Sequence, residues 1–217
     1  MRLLLVLAFA LGVNAQDKEA ALGDRVAAQI RTRTTPADPA VQAYVEALAR
    51  RLTPPGISLR FEVVRENPGG KLRQPVWAPG HVFVPEALLT ASRTEAEFAG
   101  MLALAMAEAG ERRPDQVIVV GPDGPNRGAG AYARAVGIAA AAGYDPAALL
   151  DYISREQPEQ ETSRTERIAA MRQEIASEPI RAQWIESGAA FQAAQERARA
   201  ELAGPPARRP SLFPRDR

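Results

Sequence analysis

The sequence predicts an α+β domain, mainly helical, in which a small antiparallel sheet packs beside a buried central helix. Two patterns carry that expectation. Residues 98–107 are apolar on every side, as a helix enclosed by the rest of a fold must be. Residues 58–63 alternate instead: Leu59, Phe61 and Val63 are separated by Ser58, Arg60 and Glu62, the two-residue period of a half-buried strand. With 217 residues, 46% hydrophobic and 24% charged, the chain has the composition of a globular domain and the length for a single core.

Residues 1–15 read as an export signal. Arg2 gives the positive start, Leu3 to Leu11 the apolar stretch, and Val13-Asn14-Ala15 a small-residue cleavage site before Gln16. A run of roughly a dozen apolar residues is short of the ~20 that span a bilayer, so no membrane span is expected once the signal is removed. The domain is then 16–203, followed by a disordered Pro/Arg-rich tail at 204–217. The expected location is periplasmic or secreted. Cysteine is absent, so stability must come from packing. Twenty-seven basic residues oppose 26 acidic ones, which gives no electrostatic reason to invoke nucleic acid.

A helix is expected over 22–33, and a better marked one over 38–52. There Asp38 is a good N-cap, Pro39 suits the first turn, and Val41, Tyr44, Val45, Leu48 and Leu52 recur at helical spacing. Gly69-Gly70 marks a turn, and Val82 to Val84 follow Pro79-Gly80, so 58–84 reads as the antiparallel sheet. Thr94 and Glu97 have capping-box spacing and open the central helix, which should reach Arg113. After an apolar run at Val117 to Val120 comes an alanine-rich helix from Arg127 to Ala142, with Gly143 suited to its C-terminal cap. Asp145-Pro146 start another helix, and helices over 163–177 and 181–203 complete the domain. Trp77, Trp184 and Phe191 read as core aromatics, with Trp184, Gly188 and Phe191 on one side of the last helix.

The order of these segments resembles secreted members of the HtpX and CAAX-prenyl-endopeptidase family, metallopeptidase family forty-eight. The matching motifs are Asp38 to Val45, Pro79-Gly80-His81-Val82-Phe83-Val84, Glu95 to Ala103, Gly143-Tyr144-Asp145-Pro146, Glu166 to Ala169 and Phe191 to Ala194. The resemblance covers residues 20–203 and implies a zincin-like metallopeptidase domain. Zinc-dependent peptide hydrolysis needs three protein ligands, an open position for water and a carboxylate to take the water's proton. The family supplies His-Glu-x-x-His on one helix and a glutamate from a later one. Aligned here, its first histidine falls on Leu104, its catalytic glutamate on Ala105, its second histidine on Glu108 and its third ligand on Gly130. The chain therefore resembles a degenerate member with no catalytic residue, no metal ligand set and no expected cofactor, where active relatives hold zinc.

A carboxylate at Glu108 is costly to bury without a cation. Arg134, or else Arg127 or Arg112, is the expected partner in an ion pair filling the vacated site; the alternative is a solvated Glu108 in an open cleft. His81, the sole histidine, reads as a surface or hydrogen-bonded residue, and a site built from His81, Glu108 and Glu111 is the competing arrangement. The functional expectation is a catalytically inactive exported domain that binds a polypeptide, with a sheet edge as one place to accept it, or regulates an active relative. The alternatives are an active zinc metalloendopeptidase with an unorthodox metal site and a structural exported helical domain.

Overall fold

The computed structural model describes residues 2–67, 72–110, 118–119, 129–156, 162–179 and 181–203, with side chains from residue 17 onward except 118–119, 156 and 162–164. In chain order the elements are α1 (Arg2–Arg33), β1 (Thr34–Pro36), α2 (Pro39–Leu52), β2 (Arg60–Glu66), β3 (Val76–Ala78) and β4 (His81–Pro85). They continue with α3 (Glu86–Ala91), α4 (Glu95–Gly110), β5 (Ile118–Val119), α5 (Ala129–Ala141), α6 (Ala147–Glu156), α7 (Thr162–Ser177) and α8 (Ala189–Ala203). The protein is thus mainly helical with one small sheet, an α+β arrangement. Among the described residues no helix is long and apolar enough to cross a membrane. The tail at 204–217 lies outside them.

The expected antiparallel sheet is in fact mixed. Its strand order is β1-β2-β4-β3-β5, and β2 pairs with β4 in parallel, Arg60 opposite His81 through Val64 opposite Pro85. The reason is topological. β3 and β4 form an antiparallel hairpin around Pro79-Gly80, with Gly80 at φ 78°, and it is β4 that lies against β2. Two chain reversals separate β2 from β4, so they run the same way. All five residues of β4 are buried, as befits a central strand. β5, within the apolar run at 117–120, pairs with the outer side of β3.

Along β2 beyond the reach of β1, the backbone is met by side chain and loop. Gln42 on α2 donates to the Phe61 carbonyl at 2.8 Å and accepts from the Val63 N–H at 2.7 Å. The Ala37 N–H donates to the Val63 carbonyl at 3.1 Å. These bonds hold α2 across the sheet, where Val41, Val45, Leu48 and Leu52 complete the buried stripe. Asp38 caps α2 by accepting from the Ala40 N–H at 2.7 Å, and Pro54-Pro55 follow its end. At the opposite face α1 touches the hairpin turn so closely that a Cβ on Gly23 would lie 2.0 Å from the Pro79 carbonyl oxygen.

α4 is the centre of the fold: every residue from Glu95 to Ala109 is buried. Helices α5, α6 and α2 and strand β3 pack around it, and α7 covers α5. Gly100 admits α6, since a Cβ there would stand 2.8 Å from that of Leu149. The helix expected over 181–203 begins only at Ala189, which corrects the placement of Trp184 and Gly188 on a helical face. Residues 181–188 are drawn out by long-range pairing: Ile185 forms a parallel bridge with Tyr144, and the Glu186 carbonyl accepts from Ala96 N–H at 2.9 Å. Those bonds satisfy backbone groups that a helix would have satisfied internally. Trp77 and Phe191 are buried core residues, while Trp184 is half-buried with Arg181 over its ring at 4.9 Å.

Candidate functional site

Leu104 and Ala105 are completely buried on α4, and Glu108 is 3% exposed, one turn beyond Leu104. At about 100° per residue Leu104 and Glu108 lie on one face of the helix, as the i, i+4 spacing requires. Gly130 is at the exposed start of α5, the helix packed most extensively on α4. The methyl groups of Leu104 and Ala105 belong to the main hydrophobic core, where they neither coordinate a cation nor take a proton. The burial of Glu108 disposes of the reading in which it is solvated in an open cleft. Arg134 is exposed on α5. Arg112, Arg127 and Glu111 lie outside the described residues. Among the described residues no group of three His, Asp or Glu side chains is placed to hold a metal ion.

His81 opens β4 directly after the Pro79-Gly80 turn and is itself largely buried. Its Nδ1 lies 3.2 Å from Glu62 Oε1 and its Nε2 3.4 Å from Asp24 Oδ1, so the imidazole ties α1 to the sheet. Arg31 also binds Glu62, with its Nε donating at 2.9 Å. Burial works against ionisation of Glu62, yet the hydrogen bonds from Arg31 and His81 outweigh it and hold this carboxyl below the usual range. His81 is thus buried and hydrogen-bonded to Glu62.

The open space beside α4 lies elsewhere. A groove of about 690 Å³ is bounded by the end of α2 and by α4, α5 and α7, with Leu52, Met106 and Ile138 among its apolar walls and Arg51, Arg134 and Glu174 as its charged groups. Met106 and Gly110, which line it, lie roughly opposite Leu104 and Glu108 around the helix axis. The groove therefore does not open on the face that carries Leu104 and Glu108; it is a separate feature of the same helix. The sequence held no sign of it, because its walls come from four helices far apart in the chain.

At the N-terminal end of α4 the structure assembles a polar frame. Glu95 accepts from the Tyr144 hydroxyl at 3.0 Å and from the Gly188 N–H at 2.8 Å, while its own N–H donates to Ser187 Oγ at 3.0 Å. Burial and the neighbouring Glu95 push the Tyr144 phenol up to about 12 and raise that of Tyr44 far beyond its ordinary value. Glu97 receives both arms of Arg155, at 2.5 and 2.7 Å. None of the ionisable side chains of this frame lines the groove, and the bonds they make fix the start of α4 against α6 and residues 187–188.

No protein-family model matches the chain, and no curated protein matches it.

Proposed function

We propose that this chain is a non-catalytic exported domain of zincin-like architecture, related to metallopeptidase family forty-eight, and that it works beyond the inner membrane by binding a polypeptide. That polypeptide is an exported client or an active relative that the domain regulates. One observation carries the reading: where the resemblance calls for two imidazoles and two carboxylates, the residues are Leu104 and Ala105 in the core, a buried Glu108 and the side-chain-free Gly130. A lone carboxylate does not complete a zinc site of this kind, and nothing stands where the general base would be.

The groove supports the binding half of the proposal. Its apolar walls with a few charged groups suit side chains of a partly extended polypeptide, and its volume falls in the range of ligand sites. Two strand sides in the sheet are already taken. The side of β2 beyond β1 is occupied by Gln42 and Ala37, and the outer side of β3 by β5.

Incubation with an unfolded, fluorescently labelled casein, with and without added zinc, tests both halves. The expected result is saturable binding without cleavage, with binding weakened about tenfold by Ile138→Asp at the partly exposed groove wall, roughly the loss of one well-placed apolar contact. Chelator-sensitive cleavage would instead establish the metalloendopeptidase reading. Neither binding nor cleavage would leave a structural domain.

A further inference from the structure

Three acidic side chains from distant parts of the chain meet where α3, α8 and the start of α2 come together. Glu86, the first residue of α3, is fully buried, and neither of its carboxylate oxygens has a hydrogen-bond partner. Glu201, in the last turn of α8, is engaged: its Oε2 lies 3.1 Å from Arg65 Nη1 and accepts from the Asp38 N–H at 3.2 Å. The same Arg65 nitrogen stands 3.9 Å from Glu86, outside hydrogen-bond reach, and Arg197 Nη1 is 3.8 Å from Asp38. Two guanidinium groups thus serve three carboxyls, and the nearer is committed to Glu201. The remaining element packed on α3 is β4, whose one ionisable side chain, His81, is at its far end.

We propose that Glu86 and Glu201 share one proton across the α3–α8 contact, forming an alkaline-sensitive latch that holds the last turn of α8 against α3 and β2. An anionic Glu86 would be sealed from water with no donor to accept from, next to a second carboxylate. A proton turns it into a donor to Glu201 and removes the like-charge repulsion. Burial, then the neighbouring Glu201 carboxyl, push the Glu86 carboxyl up to about 8, with Arg65 opposing and Asp38 reinforcing the shift.

The folded protein therefore keeps a proton that the unfolded chain gives up near 4.5. The stabilisation is complete below that value and is lost as pH climbs through about 8, because the unfolded state binds fewer protons throughout the interval. When the proton leaves, the outer turn of α8 loosens first. Further back, α8 stays anchored by Gln195, whose Nε2 donates to the Leu89 and Ser92 carbonyls at 2.8 and 2.7 Å.

Amide hydrogen exchange of the full chain at pH 6.5 and pH 9, corrected for intrinsic rates, reads the latch directly. Protection over residues 198–203 should fall by more than about tenfold in the parent protein, since each pH unit across the window changes the balance by about that factor. Glu86→Gln keeps a neutral donor facing Glu201 and should show no such pH dependence. Equal pH dependence in the two proteins would overturn the proposal. If the variant fails to fold, carboxyl-carbon resonances of the parent decide the matter: a Glu86 midpoint near 8 supports the latch, and one in the ordinary carboxylate range sinks it.

Discussion

Glu97 near the start of α4 and Glu86 at the start of α3 are almost equally buried, at 4% and 0% exposure, but their surroundings differ in kind. Glu97 accepts from the Arg93 N–H at 2.7 Å and from both arms of Arg155, and its own N–H donates to Thr94 Oγ1 at 3.1 Å. Glu86 has its nearest cation at 3.9 Å. Burial alone thus fails to fix what an acidic side chain contributes; the donors within reach decide it. The first carboxylate is a joint between α4 and α6, and the second is a contact whose strength depends on a proton.

Removing partners at the α4 end should hurt, and by amounts that rank with the bonds lost. Arg155→Ala leaves Glu97 buried without its cation and should cost about 3 kcal/mol in urea unfolding, at the lower end for a broken buried pair because the guanidinium is partly exposed. A loss below about 0.5 kcal/mol would mean that Glu97 is no better held than Glu86. Tyr144→Phe deletes one donor to Glu95 while Gly188 keeps its own, so the expected cost is about 1 to 2 kcal/mol by the same measurement. Thr94→Ala removes the hydroxyl that accepts from Glu97 N–H, and a loss of about 1 kcal/mol in thermal unfolding is the expected outcome. A neutral Thr94→Ala would show that Arg155, not the cap, sets where α4 begins.

Much of the helical framework was legible because its signals are local. Asp38 caps α2, Asp145 caps α6 by accepting from the Ala147 N–H at 2.9 Å, and Gly143 ends α5 at φ 90°. The Thr94 half of the capping box forms as its spacing suggested, while Glu97 reaches back to Arg93 rather than to Thr94 itself. α3 escaped notice: it is six residues long, and Pro85 before it supplies no side-chain cap. The candidate site was readable only as residue types. That Leu104 and Ala105 offer no ligand follows from their chemistry, whereas the burial of Glu108, the exposure of Gly130 and the groove behind Met106 depend on neighbours the sequence does not name.

By itself the chain determined which segments coil, where most of them start and stop, and that its middle helix would be enclosed, because caps, prolines and apolar periodicity act within a few residues. Only the tertiary structure decided that β4 runs parallel to β2, that 181–188 stays extended beside Tyr144, and that Glu97 meets Arg155 while Glu86 and Glu201 both come near Arg65. Each of these is a pairing across long stretches of chain, and its energy depends on distance and direction in space, which residue order does not encode locally.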